Sequence, residues 1–167
     1  MKQHAILTWF NDLAIGAAAR DIPWVFPAFE TLHFIGLCVL LGAMLIVDLR
    51  LLGFFRDVPA AKVMRFSYVA AGGLAVNVLS GFGFFASDPF RYWSNPAFQL
   101  KVLLLIAAFA NIVAFEFGAK RSVVALPAGV DTSIGIKLLG ALSLLLWFAI
   151  LILGRLLPDW DGLGGFI

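Results

Sequence analysis

The sequence predicts an all-α integral membrane protein: four transmembrane helices in an up-down bundle, preceded by an amphipathic interfacial helix. Three observations carry this. Hydrophobic residues make up 62% of the 167 and charged residues 13%, against roughly 45–50% and 25% in soluble domains. A soluble fold of this length keeps too large a surface to hide that much apolar area. The apolar residues also fall into four stretches, each near the ~20 residues that a helix needs to cross the hydrocarbon core. Backbone polar groups in lipid find partners only within helices or closed barrels, and the alternation of barrel strands is absent.

The same composition argues against a soluble enzyme, a nucleic-acid binder or a disordered chain. A net charge of +2 is too small to point to nucleic acid or another acidic partner. The single cysteine, Cys38, excludes an intrachain disulfide and any CxxC metal site. On an apolar helix it reads as a small, inert hydrophobe.

Residues 1–21 form the interfacial segment. Ile6, Trp9, Phe10 and Leu13 recur at helical spacing, with Asn11 and Asp12 elsewhere on the turn, as in a helix lying in the headgroup plane. A basic start, an apolar run and a small-residue cleavage site are not found there, so it does not read as a signal peptide. Residues 22–158 form the membrane domain, with spans at about 22–52, 64–87, 96–119 and 132–157, and 159–167 form a short tail. Pro23 and Pro27 suit the first turns of a helix that starts after a bend. Span two carries Gly72, Gly73, Gly81 and Gly83 with Asn77 and Ser80, the small and polar residues that let membrane helices approach and bond. Asn77 and Asn111 of span three fall at similar depth, which predicts a hydrogen bond between them. Asp48 with Arg50, and Glu116 with Lys120, read as interfacial pairs that fix span depth.

Orientation follows from lysine and arginine. Connections one and three carry seven (Arg50, Arg56, Lys62, Arg65, Lys120, Arg121 and Lys137), and the termini with connection two carry five (Lys2, Arg20, Arg91, Lys101 and Arg155). The bias places both termini outside. Trp9, Trp24, Trp93 and Trp160 then gather at the outer interface, where indoles are comfortable. Only Trp147 sits deep in a span.

Ionisable groups inside a membrane are costly, so each is a functional candidate. Span one carries Glu30 and His33, three residues apart and on one helix face. Lys101 enters span three from the same side, so the three are expected to converge. The histidine has three readings. It is a haem ligand through one ring nitrogen with the other oriented by a partner, a proton carrier paired with Glu30, or a hydrogen-bond donor between helices. The Glu-x-x-His spacing is also half of a di-iron bundle site, whose second half only a symmetric dimer supplies.

Trp24, Phe26-Pro27, Glu30, Leu32-His33 and Gly36, then Asp48-Leu49-Arg50-Leu51-Leu52-Gly53, then Asn95-Pro96, Phe98 and Lys101 together resemble a bacterial inner-membrane family of four-helix proteins over most of the chain. More distantly, His33, the Ser80-Gly81 pair and Phe98 to Lys101, in that order, are similar to the haem-binding protoporphyrinogen oxidase of bacteria and to the copper-resistance D-type membrane domain. That resemblance implies haem b with His33 as axial ligand and a site drawing on Ser80, Gly81 and Lys101. The second axial position stays open between Lys101, a water, His4 and the His33 of a second protomer.

The expectation is a b-type haem membrane protein of the bacterial inner membrane, multi-pass with periplasmic termini. It serves electron transfer or the oxidation of a small apolar donor such as a quinol or porphyrinogen. Glu30 orients the imidazole or receives a proton, and Lys101 ligates iron or neutralises a propionate. The partners are the lipid bilayer, a second copy in a homo-oligomer, and a redox protein or quinol. The alternatives are a small transport or channel protein with a Glu30–His33 proton relay, and a membrane anchor or assembly subunit without chemistry.

Overall fold

The computed structural model describes residues 2–157, with side chains from His4 onward; the expected interfacial Trp160 and the tail lie outside that range. All regular structure among the described residues is helical: α1 (Lys2–Asn11), α2 (Ala14–Asp21), α3 (Val25–Leu51), α4 (Ala60–Val63), α5 (Phe66–Ser87), α6 (Pro89–Ser94), α7 (Pro96–Gly118), α8 (Lys120–Val124) and α9 (Ile134–Leu156). Four of these, α3, α4 running into α5, α7 and α9, are long and apolar enough to cross a membrane. Phe117 is 89% exposed and Leu79 and Leu145 are each 70% exposed. Lipid is the medium in which such a surface is stable.

The helix ends follow from local chemistry. Asn95 caps α7, its Oδ1 accepting from the backbone of Ala97 and Phe98, with Pro96 in the first turn. Asp88 caps α6 in the same way through the Arg91 N–H. Both devices satisfy the free amides at a helix start. The expected single interfacial helix is instead two, because Leu13 takes an extended conformation between α1 and α2. Gly16 then lets α2 lie on the end of α5, where any Cβ would collide with the Ala86 carbonyl. Arg20 fastens the contact by donating to the carbonyls of Ala86 and Ser87.

Helix α3 is central, lying against α5 on one side and α9 on the other, and α9 lies against α7. Glycine sets the α3–α5 distance. A Cβ on Gly73 would stand 2.6 Å from the Leu40 amide nitrogen, and one on Gly83 2.8 Å from the Phe29 ring. Helices α5 and α7 stay further apart. Phe85 and Phe98 stack across that gap at the α6 end, with centroids 5.6 Å apart.

Two readings of the sequence are corrected here. Asn77 and Asn111 do not meet, because their helices are not neighbours. Asn77 donates back to the Gly73 carbonyl at 3.2 Å, and Asn111 donates to Leu139 of α9 at 3.3 Å. Asp48 and Arg50 are not an interfacial pair, since both are buried, at 1% and 0% exposure. Two residues along a helix, they face different ways. Arg50 reaches out of α3 to the carbonyls of Val58 and Val130 and so ties the two loops of the α8 end together. Asp48 faces α9. Glu116 and Lys120 do pair, at 2.7 Å, and Cys38 lies exposed on α3.

Candidate functional site around His33

His33 stands one turn before Gly36, at the point where α3 comes closest to α5. Its Nδ1 lies 2.9 Å from the Ser80 Oγ. That oxygen also lies 2.7 Å from the Val76 carbonyl and 3.3 Å from the Asn77 carbonyl, both in its own helix. A hydroxyl has one proton, and a carbonyl can only accept. Ser80 therefore donates into α5 and accepts from His33. The network assigns the neutral imidazole its proton on Nδ1 and leaves the lone pair on Nε2. No hydrogen bond engages Nε2 among the described residues.

The ring is held from two further sides. Phe84 meets it edge-on at 5.4 Å between centroids. A Cβ on Gly81 would rest 3.6 Å from Cε1, so the glycine keeps the ring carbon beside Nε2 uncovered.

The other expected site residues divide. Ser80 touches His33, and Gly81 borders it. Lys101 is half-buried near the start of α7, and its ammonium lies beside Gly154 of α9, 3.3 Å from where a Cβ would stand. Its charge acts on His33 without a hydrogen bond. Glu30 is exposed and makes no hydrogen bond to His33. The expected orienting role therefore falls to Ser80. The Glu30 charge is felt instead at Tyr92 of α6, whose phenol is pushed up by burial, opposed by Arg91 and reinforced by Asp88 and Glu30. His4 lies on α1 with its ring edge-on to Phe90 at 5.2 Å.

No group of three or more histidine, cysteine, aspartate or glutamate side chains converges among the described residues. A metal held at this site would draw on the Nε2 of His33. The tautomer suits that task, because a ligating histidine gives its other N–H to an acceptor that fixes the ring. Sequence reasoning missed a second polar group, Asp48, Asn111 and Ser143, all buried in the other half of the bundle. Its legible signal was the small pair Gly140 and Ser143, one turn apart on α9 and level with Asp48.

The family whose sequence pattern matches is the family of unknown function DUF6644, over residues 6–160. No curated protein and no solved structure matches the chain.

Proposed function

We propose, for a chain that belongs to the DUF6644 family, that it is a b-type haem membrane protein with the Nε2 of His33 as axial ligand. One observation carries the reading: Ser80 accepts the Nδ1 proton while its own proton is held by Val76. This is the arrangement that presents a fixed, basic nitrogen to a metal. Haem bound there supplies one-electron chemistry.

The chain's own residues do the rest. Ser80 holds the imidazole plane and its tautomer. Phe84 supports one ring edge. Gly81 brings no Cβ towards the ring carbon next to Nε2. Lys101 supplies positive charge on the same side of the bundle, suited to a carboxylate of the bound group. The second ligand to the group would come from Lys101, a water, His4 or the His33 of a second copy. The proton relay between Glu30 and His33 is less well supported, since the two side chains do not bond.

The role proposed is electron transfer or oxidation of a small apolar donor of the quinol or porphyrinogen class. It is exercised in the bacterial inner membrane, with periplasmic termini and a redox protein or quinol as partner. A homo-oligomer is part of the proposal, since four helices alone barely enclose a haem. The test is the absorption spectrum of protein purified from haem-replete cells. A Soret band in the wild type and its loss in His33→Ala are expected. A colourless wild type overturns the reading, and a fully coloured His33→Ala discards the ligand.

A further inference from the structure

In the half of the bundle away from His33, the gap between α5 and α7 opens into a cavity of about 180 Å³ bounded by all four long helices. Its walls are mostly apolar, with Leu40, Leu74, Phe115 and Trp147 among them. Asp48, Asn111 and Ser143 also line it. Their exposures are 1%, 8% and 3%. The Asp48 Oδ2, the Asn111 Oδ1 and the Ser143 Oγ each lack a hydrogen-bond partner. Ser143 is near enough to act on the Asp48 carboxyl, but no hydrogen bond of normal geometry joins the two. Asn111 has its amide nitrogen committed to Leu139, so only its oxygen is free.

Three side chains from three helices thus bring oxygen atoms without partners to one apolar chamber. Oxygen acceptors left unpaired in such surroundings are costly, and an unpaired carboxylate more so. Among the described residues no lysine or arginine donates to the Asp48 Oδ2. Glu116 also borders the cavity, but its carboxylate is taken by Lys120 at 2.7 and 2.8 Å. Arg50, two residues from Asp48, donates through Nε and Nη2 to the loop carbonyls of Val58 and Val130, and its Nη1 is without a hydrogen-bond partner and makes no bond to Asp48. The missing component is one positive charge with an appetite for oxygen. A single carboxylate with two neutral oxygens matches a hard, singly charged ion. The space exceeds the one probe sphere that a water needs, so water can complete the coordination.

We propose that Asp48, Asn111 and Ser143 form a binding site for one monovalent inorganic cation, held inside the bundle about 22 Å along α3 from His33. The site is independent of the haem reading, since it shares none of its residues.

The test is equilibrium dialysis of radioactive sodium and of rubidium, as a potassium stand-in, against purified protein in lipid nanodiscs. Choline chloride holds the ionic strength constant. One ion per chain is expected in the wild type and none in Asp48→Asn, which keeps the shape and removes the charge. Ser143→Ala retains the charge and packs with little change, so it reports even if Asp48→Asn fails to fold. It should weaken binding roughly tenfold, as losing one neutral ligand to a charged partner does. Absence of saturable binding of either ion to the wild type overturns the site, and would mean that a proton neutralises Asp48. Unchanged binding in a folded Asp48→Asn, or in Ser143→Ala, also overturns it. A Soret band measured on the same samples reports separately on His33.

Discussion

A serine hydroxyl has one proton to give, and at Ser80 it goes to Val76. The consequence for His33 is a fixed ring rather than a stronger hydrogen bond. Ser80→Ala removes the side-chain acceptor that fixes the Nδ1–H. If Nε2 binds iron, this variant should lose haem affinity by about 10–100-fold, as removal of an outer partner of a metal-ligating histidine does. Retention of the Soret band during detergent washing measures it. Glu30→Gln is the control and should leave retention unchanged, because Glu30 does not meet the ring. A second residue-scale consequence concerns Asp131 in the loop before α9. A hydrogen bond from Lys137 holds its carboxyl below the usual carboxylate range, helped by the Thr132 amide and by Arg56. A depressed carboxyl contributes stability above its unfolded pKa and loses it as pH falls through the folded one. The loop tie should therefore be intact at neutral pH and weaken only in acid, below the ordinary carboxylate range. Thermal melts of wild type and Asp131→Asn should differ at pH 7 and converge towards pH 3. The side chains are partly exposed, so the difference at pH 7 should be small.

Helix α5 shows how much one residue position matters. A Cβ on Gly73 would run into the backbone of Leu40 and Gly36, whereas Gly72 next to it has nothing within 4 Å. Gly73→Val should cost about 3 kcal/mol, the upper range for overpacking against groups that cannot yield. Gly72→Val should change stability by less than about 0.5 kcal/mol. Unfolding in a mixed-detergent titration compares the two. The sequence showed that glycines 72, 73, 81 and 83 mattered as a set, because small residues mark close helix approach. It could not tell which of them faces a neighbour, since an apolar helix in lipid has no hydrophobic side and polar side from which to read direction. Asn77 and Asn111 were misjudged for the same reason. Depth is legible from position along a span, while the identity of the neighbouring helix is not.

The whole molecule was legible where solvent decides. Four apolar runs of the right length, bounded by Arg65, Asp88, Lys120 and Asp131, imply four helices because lipid permits little else. Glu30, His33 and Lys101 stood out because charge inside a span is costly, yet their meeting depends on side-chain direction. Ser80 was visible as a polar residue of span two and as part of a Ser-Gly pair, and its role came from one hydrogen bond that spacing cannot show. Asp48 was misplaced because a carboxylate near a span end usually faces water, and here it is buried beside Ser143 of α9. Orientation is a separate expectation of the whole chain. A reporter enzyme fused to the C-terminus should be active in the periplasm and silent in the cytoplasm. The reverse would place the His33 end of the bundle inside.

The proposal that the Nε2 of His33 takes a metal makes a titration decisive. Haemin titrated into haem-free protein tests it most directly, followed by the rise of the Soret band. The wild type should saturate sharply with a defined stoichiometry, and His33→Ala should show only the broad spectrum of unligated haemin in detergent. Identical titration curves for the two proteins would rule out His33 as the ligand.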